Sequence, residues 1–130
     1  MASELAEKFM HTLQAIESSQ DVEPLIALFS EDVELSNLLM AEPQHGHDGA
    51  RQFWQKYLSV FGQIHSEFTH VSEGGNTIAL EWTSEGTLAN GEPIKYRGVS
   101  LLERQHGQVQ RFRTYYDSAA FLPEGSKHRS

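Results

Sequence analysis

Hydroxyl and carboxylate side chains recur at even spacing in three stretches of the second half of the sequence. Alternate residues of a β-strand point to the same face of the sheet, so the members of each stretch would share a face. A carboxylate enclosed among apolar residues has a raised pKa and can take a proton from a substrate near neutral pH. If these faces line a pocket, Glu81 is the best candidate for a general base. The three sets are Glu81, Thr83 and Glu85; Tyr96, Ser100 and Leu102; and Phe112, Thr114 and Tyr116.

Two other interpretations of Glu81 remain open at this stage. In the first, Glu81 pairs with an arginine and has only a structural role. In the second, the strand has the opposite orientation, so that Ile78, Leu80 and Trp82 face the core and Glu81 faces solvent.

Other chemistries find little support in the composition. The sequence has no Cys, which excludes disulfides, thiolate metal sites and cysteine nucleophiles. His45 and His47 stand two apart in a polar loop, but a metal site needs a third and a fourth ligand, and Asp48 is better explained as a helix cap. We therefore expect no metal and no cofactor. The net charge of −8 argues against nucleic acid as a partner.

Three helices and five strands must position these residues. Apolar residues Leu5, Phe9, Leu13 and Ile16 predict a helix over 3–19 that Ser3 caps. A short helix follows Asp21, and a third is expected over 49–61, with Asp48 as its cap. The predicted strands are 33–39, 63–72, 77–88, 93–104 and 108–117, the last four forming a meander.

Helices that precede an antiparallel meander indicate an α+β domain. We expect three N-terminal helices packed in a cone, which a strongly curved and mainly antiparallel sheet forms, with an open mouth for a small ligand. One domain is expected over 1–122, followed by a polar tail over 123–130. The sequence contains no run of about 18 consecutive apolar residues, the length that a membrane-spanning helix needs. The start MASELAEKF does not look like a secretory signal, so a cytoplasmic protein is expected.

This order resembles the SnoaL-like branch of the nuclear-transport-factor-2-like superfamily, which is related to polyketide cyclases, ketosteroid isomerases and limonene epoxide hydrolases. The resemblance covers roughly residues 5–122. The matching pieces are Leu28-Phe29-Ser30-Glu31-Asp32-Val33, Gly46-His47-Asp48-Gly49-Ala50-Arg51-Gln52-Phe53-Trp54, Glu81-Trp82-Thr83, Gly86-Thr87, Arg97-Gly98-Val99, His106-Gly107-Gln108-Val109 and Arg113-Thr114-Tyr115-Tyr116-Asp117.

The resemblance implies where a catalytic set would lie, and this sequence departs from it. Thr114 stands where such cyclases and epoxide hydrolases have an Asp, and Ser100 where cyclases have a His. Glu81 and Thr83 fall near an Arg and an Asp of the epoxide hydrolases. Asn37 falls at the place of the isomerase base and matches the Asn of an epoxide hydrolase.

The resemblance also implies a pocket for a small hydrophobic molecule, in which Glu81 would be catalytic. Its expected ligand-binding residues are Asn37, Tyr57, Thr83, Ser100, Phe112, Thr114 and Tyr116. Three functions follow as hypotheses: an enzyme of isomerase, cyclase or hydrolase type, a binder without catalysis, and a protein-interaction module. The enzyme hypothesis requires Glu81 to be buried, and the binder hypothesis predicts an apolar cavity with hydroxyls and an amide but no carboxylate.

The opposite face of the last strands is mixed apolar and basic. Relatives of this type pair through the sheet, so the resemblance implies a homodimer through this surface. Arg111 and Arg113 would then meet acids of the other subunit or solvent. The expected face consists of Lys95, Arg97, Val99, Leu101, Glu103, Val109, Arg111, Arg113 and Tyr115, joined by Ile78, Leu80 and Trp82.

Overall fold

The computed structural model describes residues 2–122, so the predicted tail over 123–130 lies outside the described residues. Its helices are α1 (Glu4–Ser19), α2 (Glu23–Ile26) and α3 (Gly46–Ser59), and a 3₁₀ turn (Ser118–Phe121) ends the described chain. Its strands are β1 (Phe29–Asn37), β2 (Gln44–His45), β3 (Phe61–Gly74), β4 (Thr77–Leu88), β5 (Pro93–Gln105) and β6 (Gln108–Tyr116). The predicted α+β class is confirmed.

The helices begin where local chemistry satisfies their free amides. Ser3 caps α1 as predicted, since its hydroxyl accepts a hydrogen bond from the Ala6 amide. The prediction that Asp48 caps α3 is wrong, because α3 begins at Gly46 and His45 is its capping residue. Asp48 lies inside the first turn and pairs with Arg51.

The six strands form one curved sheet in the order β2-β1-β6-β5-β4-β3. Strand β1 runs parallel to β6, and every other neighbouring pair is antiparallel. Strand β1 begins at Phe29 rather than at residue 33, and β2 lies in the segment expected to be a loop. Register shifts interrupt the pairing of β3 with β4 between Phe68 and His70 and of β5 with β6 between Glu103 and Arg104. Such bulges strengthen the local twist and help the sheet bend.

The concave face of the sheet packs on the helices around a buried aromatic group. The ring of Phe9 on α1 stacks on Phe112 of β6 at a centroid distance of 5.7 Å. Trp54 of α3 lies 5.2 Å from the same Phe112 ring. These rings fill one end of the cone and leave space at the other. Among residues 2–122, no helix is both long and apolar enough to span a membrane.

Candidate functional site

An open cavity of about 410 Å³ lies between α3, the concave face of the sheet and the chain around the 3₁₀ turn. This volume falls within the range of small-molecule sites, about 300–1,000 Å³. Most of its wall is apolar and nine of its lining residues are aromatic, which suits the burial of an apolar ligand. The aromatic lining residues are Phe53, Trp54, Tyr57, Phe61, Trp82, Tyr96, Phe112, Tyr116 and Phe121.

The orientation of β4 is the opposite of the one expected for a catalytic Glu81. Ile78 and Leu80 are fully buried and Trp82 is 8% exposed, so these three side chains face the interior. Glu81 is exposed on the convex face, where its Oε1 accepts a hydrogen bond from the Thr69 hydroxyl at 3.2 Å. The expectation that Glu81 lies deep in the cone is therefore wrong. The physical reason is that burying the three apolar side chains forces their odd-numbered neighbours outward.

Six of the seven expected ligand-binding residues line the cavity: Asn37, Tyr57, Ser100, Phe112, Thr114 and Tyr116. Thr83 does not, because it shares the convex face with Glu81. It pairs across the sheet with Glu67 and Arg97. Whether the six residues bind a ligand remains a prediction.

Hydroxyl groups form a chain across β4, β5 and β6 at the cavity wall. The Trp82 indole donates a hydrogen bond to the Ser100 hydroxyl at 3.0 Å, and Ser100 shares a second bond of 2.9 Å with Thr114. Asn37 stands opposite Thr114 on β1, and its side-chain oxygen accepts from the Leu39 amide at 2.9 Å. These bonds fix the polar side chains on a wall that is largely apolar.

A buried carboxylate does exist beside the cavity, and it is Glu17 on α1. Glu17 is only 4% exposed. Its Oε1 accepts from the Ser66 amide at 2.8 Å, and its Oε2 accepts from the Ser66 hydroxyl and the Tyr57 hydroxyl, both at 2.6 Å. The Ser66 oxygen is also 2.6 Å from the hydroxyl of Ser84. Tyr57, Ser66 and Ser84 line the cavity and Glu17 does not. Glu17 therefore orients polar side chains of the cavity wall without lining the cavity itself.

The two phenols nearest to Glu17 are held in their neutral form. Burial raises the pKa of Tyr57 well above its ordinary value, and the nearby Tyr96 and Glu17 raise it further. Burial likewise raises the pKa of Tyr96, with Tyr116 and Glu17 adding to the effect. Both phenols therefore keep their protons throughout the ordinary pH range.

The sequence pattern that defines SnoaL-like domains matches residues 6–112. The chain belongs to the SnoaL-like domain family. No protein of curated function matches it.

Solved structures share the fold of this SnoaL-like domain at identities too low to transfer a function. An NTF2-like protein from Anabaena variabilis is 16% identical over 92% of this chain and 96% of that chain, with a TM-score of 0.82. A protein with a ketosteroid isomerase-like fold from Catenulispora acidiphila, in complex with trimethylamine, is 15% identical over 94% and 92%, with a TM-score of 0.80. TerC, co-crystallised with polyporic acid, is 19% identical over 91% and 92%, with a TM-score of 0.77.

Sequence reasoning missed Glu17, although a local signal was present. Glu17 follows Leu5, Phe9 and Leu13 at intervals of four residues, so it continues the apolar face of α1. A carboxylate on such a face must find hydrogen-bond donors in the core. The donors come from residues 40 and 49 positions away, which the helix pattern does not identify.

The convex face of the SnoaL-like domain also differs from expectation. Arg111 pairs with Glu34 at 3.0 Å and Arg113 pairs with Glu103 at 3.1 Å, so both arginines meet acids of their own chain. The structure also places Val109 in the core, as it does Ile78, Leu80 and Trp82. Val109 lies beside the register shift between β5 and β6, which interrupts the alternation and lets its side chain face inward. The apolar part of this face is therefore smaller than the sequence suggested.

Proposed function

We propose that this SnoaL-like domain binds a small, largely apolar molecule in its cavity. One observation carries the proposal: among the described residues that line the cavity, the polar side-chain groups are hydroxyls, amides, indole N–H groups and one ammonium, and none is a carboxylate. An apolar wall with a few fixed polar groups is typical of a small-molecule site. This composition is the one that the binder hypothesis requires.

The position of Glu81 favours binding over a reaction that uses Glu81 as its base. A general base must come within hydrogen-bond reach of the proton that it removes. Glu81 lies on the convex face, and the sheet separates it from the cavity. The relatives crystallised with trimethylamine and with polyporic acid support a role for this fold in holding small organic molecules.

The mouth of the cavity suits an apolar ligand. Leu39 is 67% exposed and Val60 is 38% exposed, and both line the opening together with Met40. A ligand that covers exposed apolar side chains around a cavity removes apolar surface from water, which favours binding. Lys56 is the cation of the described lining residues, and it makes no ion pair with another described residue.

Calorimetric titration of the full chain with indole, 2-indanol and 2-indanone tests the proposal. These probes are small, neutral and mostly apolar, and we expect at least one to bind with a submillimolar Kd. Trp54 and Trp82 are the two tryptophans of the sequence, and both line the cavity. Binding of 2-indanol should therefore change the tryptophan fluorescence.

A pair of substitutions locates the site. Thr114→Phe places a ring in the cavity and should abolish binding, whereas Thr83→Phe adds the same ring on the convex face and should leave binding unchanged. Circular dichroism of both variants checks that they fold. The proposal fails if no probe produces heat or a fluorescence change, or if the two variants have the same effect.

A further inference from the structure

The hydrogen bonds around Glu17 have a defined direction. An ionised carboxylate only accepts hydrogen bonds, and a backbone N–H only donates them. Glu17 takes the Ser66 amide on Oε1 and the hydroxyls of Ser66 and Tyr57 on Oε2, so all three bonds point their protons toward Glu17. In this arrangement one carboxylate orders two hydroxyl protons at the cavity wall.

The direction continues to Ser84. The Ser66 hydroxyl has a single proton and gives it to Glu17. The 2.6 Å contact between Ser66 and Ser84 must then carry the proton of Ser84. Both Ser84 and Tyr57 line the cavity, and each has committed its proton to the protein. What they offer to a ligand is therefore the lone pairs of their oxygens.

Tyr96 does not cancel this polarity. Burial keeps its phenol neutral because the pKa is raised, so Tyr96 carries one proton beside the oxygens of Tyr57 and Ser84. One proton can serve one of the two acceptors. At least one oxygen is left to accept a hydrogen bond from a bound molecule.

The three hydrogen-bond donors of Glu17 compensate for the burial of its carboxyl group. Glu17 lies in the last turn of α1, where the helix dipole disfavours a negative charge. Among residues 2–122 no cation forms an ion pair with it. Ser66 and Tyr57 thus cannot turn their hydroxyl protons toward the cavity without taking donors away from a buried carboxylate oxygen.

We infer that this end of the cavity selects ligands that present a hydrogen-bond donor, an O–H or N–H group, and disfavours ligands that present a carbonyl. The inference rests on the proposed function, since it describes the polarity of the same site. Glu17 is the residue that sets the preference, and it does so through Tyr57 and Ser84 without touching the ligand.

Matched ligands test the preference. Indole and benzofuran are planar bicycles of nearly the same shape, but indole donates through its N–H whereas the oxygen of benzofuran can only accept. We expect indole to bind the full chain about tenfold more tightly than benzofuran, a difference of about 1.4 kcal/mol, because benzofuran leaves a buried acceptor unpaired. Binding is measured by calorimetry near pH 7.

Glu17→Gln should weaken or invert the preference. The amide oxygen can replace Oε1 and keep the bond from the Ser66 N–H, but the amide nitrogen then donates where Oε2 accepted. The hydroxyl protons of Tyr57 and Ser66 are displaced from this position and become available to the cavity. The affinity for 2-indanone, an acceptor, should rise relative to that for indole by about tenfold. Glu81→Gln on the convex face is the matched control and should leave the ratio unchanged.

Tyr57→Phe provides a second variant in case Glu17→Gln folds poorly. It removes the phenol oxygen itself and leaves Ser84 as the acceptor, so the ratio of indole affinity to benzofuran affinity should fall. Binding of the probes to the unmodified chain with equal affinity, or with tighter binding of benzofuran, would overturn the inference and leave the proposed function standing. An unchanged ratio in Tyr57→Phe would overturn the inference as well. The failure of every probe to bind would overturn the proposed function, and the inference with it.

Discussion

The Glu17–Tyr57 hydrogen bond should appear as a coupling energy in the unfolding of the chain. Glu17→Ala removes the acceptor of three donors: the Ser66 amide, the Ser66 hydroxyl and the Tyr57 hydroxyl. A buried donor without a partner costs about 1–3 kcal/mol. The Ser66 hydroxyl can still bond to Ser84, so the other two donors give an expected loss of roughly 2–6 kcal/mol. A domain of this size has about 5–15 kcal/mol in total, and the variant should remain measurable.

A double-mutant cycle isolates the bond itself. Tyr57→Phe alone should cost about 1–3 kcal/mol, because the carboxylate loses one of its donors. In the Glu17→Ala background the same substitution should cost less, because the phenol no longer has an acceptor to lose. We expect a coupling energy of about 1–2 kcal/mol.

Urea unfolding at pH 7, followed by tryptophan fluorescence and circular dichroism, measures the unmodified chain and the three variants of the cycle. Trp54 and Trp82 are buried, so the tryptophan fluorescence reports on the core. Glu81→Ala is the control; it removes an exposed carboxylate and should change the free energy of unfolding by less than about 0.5 kcal/mol. Additivity of Glu17→Ala and Tyr57→Phe within about 0.5 kcal/mol would refute the reasoning.

Three further predictions concern other parts of the domain. The pKa of Glu73 is lowered chiefly by the Ser3 side chain; burial opposes this shift, and the Ser3 amide and Arg104 add to it. Ionised Glu73 therefore stabilises the folded chain above about pH 5, and this contribution is lost as the pH falls through the lowered pKa. Glu73→Gln should therefore cost roughly 1–2 kcal/mol in urea unfolding at pH 7, and the cost should shrink as the pH falls through the lowered pKa. A pH-independent difference would contradict this. Gly98→Ala should lower the free energy of unfolding by about 1–3 kcal/mol, because the added methyl group would lie 2.7 Å from the Trp82 ring. Gly74→Ala is the control, since its methyl group would meet nothing within 4 Å, and a similar loss there would contradict the explanation. The expected homodimer should appear in sedimentation equilibrium and weaken on Tyr115→Glu, because Tyr115 is 43% exposed; a monomer at every concentration would disprove it.

Much of the fold was predictable because its signals are local. The period-two pattern and the turns between strands gave the bounds of β4 within a residue, and helical spacing gave α1. Alternation also grouped Ser100 with Tyr96, and Thr114 with Phe112, on the faces that line the cavity. Local spacing states which residues share a face, and for these strands one face was plainly the apolar one.

The faces of β4 show where the sequence alone was insufficient. Ile78, Leu80 and Trp82 alternate with Ala79, Glu81 and Thr83, so the pattern separates the two sets. The resemblance to cyclases and hydrolases suggested the second set as the lining, and the structure buries the first. Which face of β4 is buried depends on the packing of the whole sheet, because its larger apolar side chains must be covered by the helices.

The sequence by itself determined the α+β order of elements and the exclusion of thiol chemistry. The four-residue spacing that places Glu17 on the apolar side of α1 is also present in the sequence, but Glu17 was not among the residues predicted from it. Only the tertiary structure decided that Glu17, rather than Glu81, is the carboxylate beside the cavity. Its partners Tyr57 and Ser66 lie 40 and 49 residues away, and they meet it only when α1, α3 and β3 pack together. Contacts over such separations leave no periodic trace in a single sequence, because the spacing that repeats within a helix or a strand does not extend between them.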